Sequence, residues 1–147
     1  MPLSRSLVTK CPGIVRPAEA TIDGMSTALA YTAAAVIAVW GLAHVIPTRQ
    51  VVAGFAGISA DNVRIITQEW LAEGIAMWGI AAFVIAATAA SGTGDVRLWV
   101  YRVAAGLLIA VGILTALTGA RTPVVWFKIC LAVMAVGAAL LLTASAV

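Results

Sequence analysis

Four stretches of the chain carry no formally charged side chain: Met25 to Thr48, Gly74 to Gly94, Val103 to Ala120 and Ile129 to Val147. At about 1.5 Å of rise per helical residue, each approaches a hydrocarbon core of roughly 30 Å. Lipid offers backbone groups no hydrogen-bond partner, so such stretches are expected to cross the membrane as helices. Composition agrees. Of 147 residues, 63% are hydrophobic and 10% charged, and the mean hydropathy is +1.07; soluble domains are apolar over only about half their residues. The chain is therefore expected to be an all-α polytopic membrane protein, an antiparallel bundle of four transmembrane helices. Low charge content excludes the disordered and coiled-coil classes.

With interfacial turns added, the helices fall at about 27–46, 62–90, 96–118 and 123–145. Pro47 ends the first, because the residue before a proline is driven out of the helical region. Ser59, Asp61 and Asn62 offer amino-terminal caps for the second. The Ser91-Gly92-Thr93-Gly94 run separates the second from the third, and Pro123 suits the first turn of the fourth. Two of the three connections are very short, which makes consecutive helices antiparallel neighbours.

The first 24 residues hold Arg5, Lys10, Arg16, Pro12, Pro17, Glu19 and Asp23 and lack the apolar core of a secretory signal. A disordered tail is expected there, or a segment ahead of a native start at Met25. That alternative also bears on orientation. Arg5, Lys10, Arg16, Arg97 and Arg102 lie toward one side and Arg49, Arg64, Arg121 and Lys128 toward the other. This is nearly balanced under the positive-inside rule, and removing the tail tips it so that both termini lie outside the cytoplasm. Although the pI is about 9.3, the basic residues are scattered between apolar runs, so no nucleic-acid partner is expected. Cys11 and Cys130 form no paired motif and are expected to be free thiols.

Tyr and Trp favour the headgroup level, placing Tyr31, Trp99 and Tyr101 near one face and Trp70 and Trp126 near the other, with Trp40 and Trp78 between helices. Alanine and glycine are abundant, but no Gly-x-x-x-Gly pair occurs.

Helix alternation brings the unusual residues to one membrane face: His44, Arg49, Asp61, Asn62, Arg64, Gln68, Glu69, Glu73, Arg121 and Lys128. Glu69 and Glu73, four apart, share a helix face and repel unless compensated. Lys128, His44 and Arg49 are candidates, as is a carboxyl kept protonated by desolvation. The plainest reading is an ion-pair and hydrogen-bond cluster near the headgroup boundary that fixes helix docking. A sharper one makes His44, Glu69 and Glu73 ligands of a divalent metal, but the Glu-x-x-His pairs of di-iron bundles are missing. His44 reads as a hydrogen-bonded structural histidine, or as a ligand or proton carrier. The apolar segment Gln50 to Ile58 reads as an interfacial or re-entrant piece, either packed on the bundle end or acting as a lid. Phosphate-binding loops, His-Glu-x-x-His, Gly-x-Ser-x-Gly and paired haem histidines are absent from the sequence, and so are charges at mid-helix.

His44-Val45-Ile46-Pro47-Thr48, Phe55, Ser59-Ala60-Asp61-Asn62 and Gln68-Glu69-Trp70-Leu71-Ala72-Glu73-Gly74 resemble the pattern of an uncharacterised family of small four-helix integral membrane proteins of bacteria. Arg121-Thr122-Pro123 and Lys128-Ile129-Cys130 resemble its second patterned block. In span count and size the chain is also similar to the DoxX-like membrane proteins, some of which are associated with quinone-linked redox systems. Neither resemblance implies a catalytic residue. The expected function is a non-catalytic accessory or scaffold subunit of a bacterial inner membrane. Its polar face would dock a membrane-protein partner, a second copy or lipid headgroups, with Arg49 and Arg121 on phosphate or acidic groups. The alternative is a quinone-linked oxidoreductase component using His44 and Glu73; a small-solute transporter ranks below both.

Overall fold

The computed structural model describes residues 17–90 and 94–147, which form helices and no strand. The helices are α1 Pro17–Val45, α2 Thr48–Ala53, α3 Ala60–Ala89, α4 Gly94–Leu117 and α5 Val125–Ala144, with a 3-10 turn at Gly119–Arg121. Helices α1, α3, α4 and α5 are long and apolar enough to cross a membrane. The chain is thus an all-α, multi-pass four-helix bundle with one short extra helix. Helix α1 packs on α3 and α5, α4 packs on α5, and α3 meets α4 over a shorter contact. The face where α1 and α4 begin is called the near face, and that where α3 and α5 begin the far face.

Helix boundaries follow local chemistry. Pro47 stops α1 at Val45, and the Thr48 hydroxyl donates to the Val45 carbonyl that the helix leaves open. Gly57, at φ 81°, makes the turn into α3, since a side chain is disfavoured in the left-handed region. Ser59 caps α3, its Oγ accepting the Asn62 N–H at 3.2 Å.

The differences from expectation have physical causes. Helix α1 begins at Pro17 rather than near 27, because charge does not stop a helix that runs past the membrane surface into water. Asp23 there pairs with Arg97 of α4 at 3.0 Å. Residues 1–16, including Cys11, lie outside the described residues, as do 91–93 of the expected break. Pro123 precedes α5 rather than lying in its first turn. The Thr122 hydroxyl donates to the Gly119 carbonyl at 2.6 Å and accepts the Val124 N–H at 3.4 Å, so the connecting turn runs through 124. The first part of the 50–58 segment belongs to α2, which packs on α3 beside Val63 and Thr67.

The core is built from small residues on α1 (Ala30, Ala33 and Ala34) against Ala81 of α3, Ala104 and Ala105 of α4 and Ala138 of α5, filled by Ile37, Leu108, Met134 and Leu141. Small residues let helix backbones approach and gain dispersion contacts that lipid cannot offer. Large apolar side chains face outward, Phe83 being 72% exposed, as a lipid-facing surface requires.

Helices α1 and α3 approach closely where Gly41 and Gly74 face one another. A methyl on Gly74 would overlap Val45 Cγ2 and come 3.3 Å from the Gly41 carbonyl. The glycine pair absent along any one helix is formed across two. Tyr101, expected at the headgroup level, is fully buried and its hydroxyl lies 2.7 Å from Thr88 Oγ1, which itself donates to the Val84 carbonyl. Replacing Gly74 by Ala should destabilise the bundle by about 1–3 kcal/mol through overpacking. Gly79→Ala, where a methyl meets nothing within 4 Å, should be close to neutral. Thermal unfolding of both variants in the same detergent checks this.

Candidate functional site: the far-face histidine clamp

All ten polar residues singled out in the sequence sit on far-face elements, but few of them meet. His44, in the last turn of α1, is 8% exposed. Its imidazole stacks on the Trp70 indole, with centroids 4.1 Å apart and planes 14° from parallel. His44 Nε2 stands 3.4 Å from Glu73 Oε2. Trp70 Nε1 in turn donates to the His44 backbone carbonyl at 2.7 Å. That carbonyl is one of the last four of α1, which have no partner inside the helix. One α3 residue therefore both stacks on the imidazole and closes the backbone of the same α1 residue.

The clamp depends on the Gly41–Gly74 crossing beside it. Trp70, Glu73 and Gly74 occupy one turn of α3, and with no side chain at Gly74 the helices come close enough for side chains to bridge them. One turn further in, Trp78 Nε1 donates to the Ala38 carbonyl at 3.1 Å, a second indole contact from α3 to the α1 backbone. Trp78 was expected between helices, yet 38% of it is exposed, so it lies across the outside of the crossing. Trp70, expected near the far headgroup level, is half-buried in the clamp at that face.

Behind the clamp, toward α4 and α5, lies a second polar group that sequence reasoning missed. The Cys130 thiol is free and buried, with the Trp40 indole N–H and the Thr115 hydroxyl as its polar neighbours. Trp40 Nε1 and His44 Nε2 are both buried without a hydrogen bond of good geometry. Trp40 and His44 are four apart on α1 and so share a face. That spacing was the available signal. Its link to Cys130 and Thr115 depends on the register of α4 and α5 against α1, which spacing within one helix does not give.

The remaining candidates stand apart. Of the cations proposed to compensate Glu73, the structure brings His44 to it and places neither Arg49 nor Lys128 within ion-pair distance. Glu69 is exposed and, among the described residues, has no cation within that distance. Arg64 pairs with Asp61 at 2.8 Å, one turn away on the exposed start of α3. Asn62 serves the Ser59 cap through its backbone. Arg49, Gln68, Arg121 and Lys128 are exposed. Among the described residues no three His, Cys, Asp or Glu side chains gather as a metal site would need, so His44, Glu69 and Glu73 are not brought together as the alternative, metal-binding reading requires.

The arrangement locks helices together without presenting a reacting group. Trp70→Phe keeps the stack but leaves the His44 carbonyl open, and should cost about 1 kcal/mol. Trp70→Ala removes both contacts and should cost roughly 2–4 kcal/mol. A thermal transition of Trp70→Phe in detergent equal to that of the wild type would show that the indole N–H contributes nothing, and equal effects of the two variants would show that the stack contributes nothing.

No protein-family model, curated protein or solved structure matches the chain. The functional reading rests on the geometry of this face.

Proposed function

We propose that the chain is a non-catalytic accessory or scaffold subunit of an inner membrane whose far face docks an acidic membrane-protein partner or lipid headgroups. The supporting observation is how the far-face charges divide. Glu73 is engaged with His44 and Asp61 with Arg64, while Arg49, Arg121 and Lys128 are exposed with no carboxylate in ion-pair range among the described residues. Three free cations against Glu69 make a surface suited to phosphate or carboxylate.

Among the described residues the buried polar side chains gather toward the two faces, Trp40, Thr115 and Cys130 joining the far group and Ser26 the near one, which counts against a transport role. His44–Glu73 is at the far face and Thr88–Tyr101 near the other, with Met77, Ala81 and Val84 between them on α3. Ion or proton relays need polar groups through such a layer.

One observation favours a second reading, a quinone-linked redox component of the kind associated with DoxX-like proteins. His44 Nε2, buried without a hydrogen bond of good geometry, lies 3.4 Å from the Glu73 carboxylate, a pair of groups suited to a carbonyl that is protonated as it is reduced. A quinone recovered with the purified protein, and lost on His44→Phe, would replace the first reading with this one.

The direct test is affinity purification from native membranes in mild detergent, comparing the wild type with a combined Arg49→Gln, Arg121→Gln, Lys128→Gln variant. The expected result is a stoichiometric partner or a bound anionic lipid with the wild type and its loss from the variant, with the thermal transition unchanged. Identical recovery from both would overturn the docking role.

A further inference from the structure

On the opposite side of the bundle, the short contact between α3 and α4 leaves an open groove of about 380 Å³. This is at the low end of the roughly 300–1,000 Å³ of clefts that hold small ligands. Ile80 and Phe83 of α3 line it with Val96, Trp99, Val103 and Leu107 of α4, and no polar atom contributes surface to it. From Val96 to Leu107 the groove follows α4 for roughly 16 Å, close to half of a hydrocarbon core of about 30 Å. Helix α3 ends at Ala89 and α4 begins at Gly94, so the Val96 end of the groove lies toward the near face and the groove runs inward from there.

A cation stands beside its outer half, at Trp99. The Arg102 guanidinium carbon is 5.9 Å from the centroid of the Trp99 ring that lines the groove. Arg102 is exposed and, among the described residues, no carboxylate lies within ion-pair distance of it. Arg97, one turn earlier, is already committed to Asp23, and Asp95 lies two turns further out along α4. An exposed Trp, 64% accessible, beside an unpaired Arg is the chemistry of a headgroup boundary.

We infer that the groove is a binding site for an anionic phospholipid of the near-face leaflet, with one acyl chain between α3 and α4 and the headgroup phosphate on Arg102 beside Trp99. The chain's lipid-facing surface is apolar throughout, and apolarity alone selects no lipid. What distinguishes this groove is a concave apolar surface with an uncompensated cation beside its outer half. The site is independent of the far-face docking role, since it shares no residue with it.

The test uses the full chain in a mild detergent with equal amounts of dioleoyl phosphatidylglycerol and dioleoyl phosphatidylcholine, read by native mass spectrometry. The wild type should retain one phosphatidylglycerol with a preference of about fivefold over phosphatidylcholine, the scale expected of one basic residue near anionic lipid. Arg102→Gln should bring the preference near unity, and Arg102→Lys should restore part of it. Val103→Trp, which fills the groove without touching the core, should lower retention of both lipids while leaving the thermal transition in place. Equal retention of the two lipids by the wild type would overturn the site, as would full preference in Arg102→Gln or unchanged retention in Val103→Trp. A lipid-free dimer would also overturn it, giving the groove to a second copy.

Discussion

A helix that ends at the edge of hydrocarbon leaves carbonyl groups that water reaches poorly, and this constraint organises the far face. Pro47 forces α1 to stop at Val45, and the freed carbonyls are closed by side chains: His44 by the Trp70 indole and Val45 by the Thr48 hydroxyl. Each open carbonyl in such a setting costs free energy comparable to a lost hydrogen bond. The Trp70 contact needs α3 close to α1, and that needs Gly41 opposite Gly74. The His44–Glu73 contact follows from the same approach. A proline, two glycines and a tryptophan thus account for most of what is specific about this end of the bundle.

This division explains why the face reads as structural. His44 and Glu73 are ionisable groups at the end of a span, where a functional role is the first hypothesis. Their geometry is that of a joint: the imidazole is stacked, the carboxylate bridges to it, and the same α3 turn closes the backbone. The groups left over are outward cations, which suits recognition of charge better than bond-making.

Much of the architecture was legible in the sequence, because charge-free length is a direct consequence of the solvent a span must cross. The four spans, the alternation of the helices and the gathering of polar residues at one face follow from it. So does the Ser59 cap, whose signal is local. The contacts were less legible. Trp70 and His44 are 26 residues apart on helices that are apolar on all sides, so periodicity gives no register between them. Gly41 and Gly74 match no motif because the pair exists only across two helices. Tyr101 shows the limit of residue-type rules: its side chain suits the headgroup level, but Thr88 supplies a hydroxyl partner that makes burial possible. Charge misled at α1, since Asp23 lies within the helix and not ahead of it.

The unequal lengths of the spans carry a consequence for the bilayer itself. Helix α5 has 20 residues, about 30 Å, and its two ends are tied into the bundle, Ala144 accepting from Ser26 and Cys130 lying against Trp40 and Thr115. Helix α3 has 30 residues, about 45 Å, and its first three turns carry the charged residues Asp61, Arg64 and Glu69. The shortest span therefore limits the thickness of lipid that the bundle matches without deforming it. A thicker membrane would have to thin around α5 at a cost of fractions of a kcal/mol per Å.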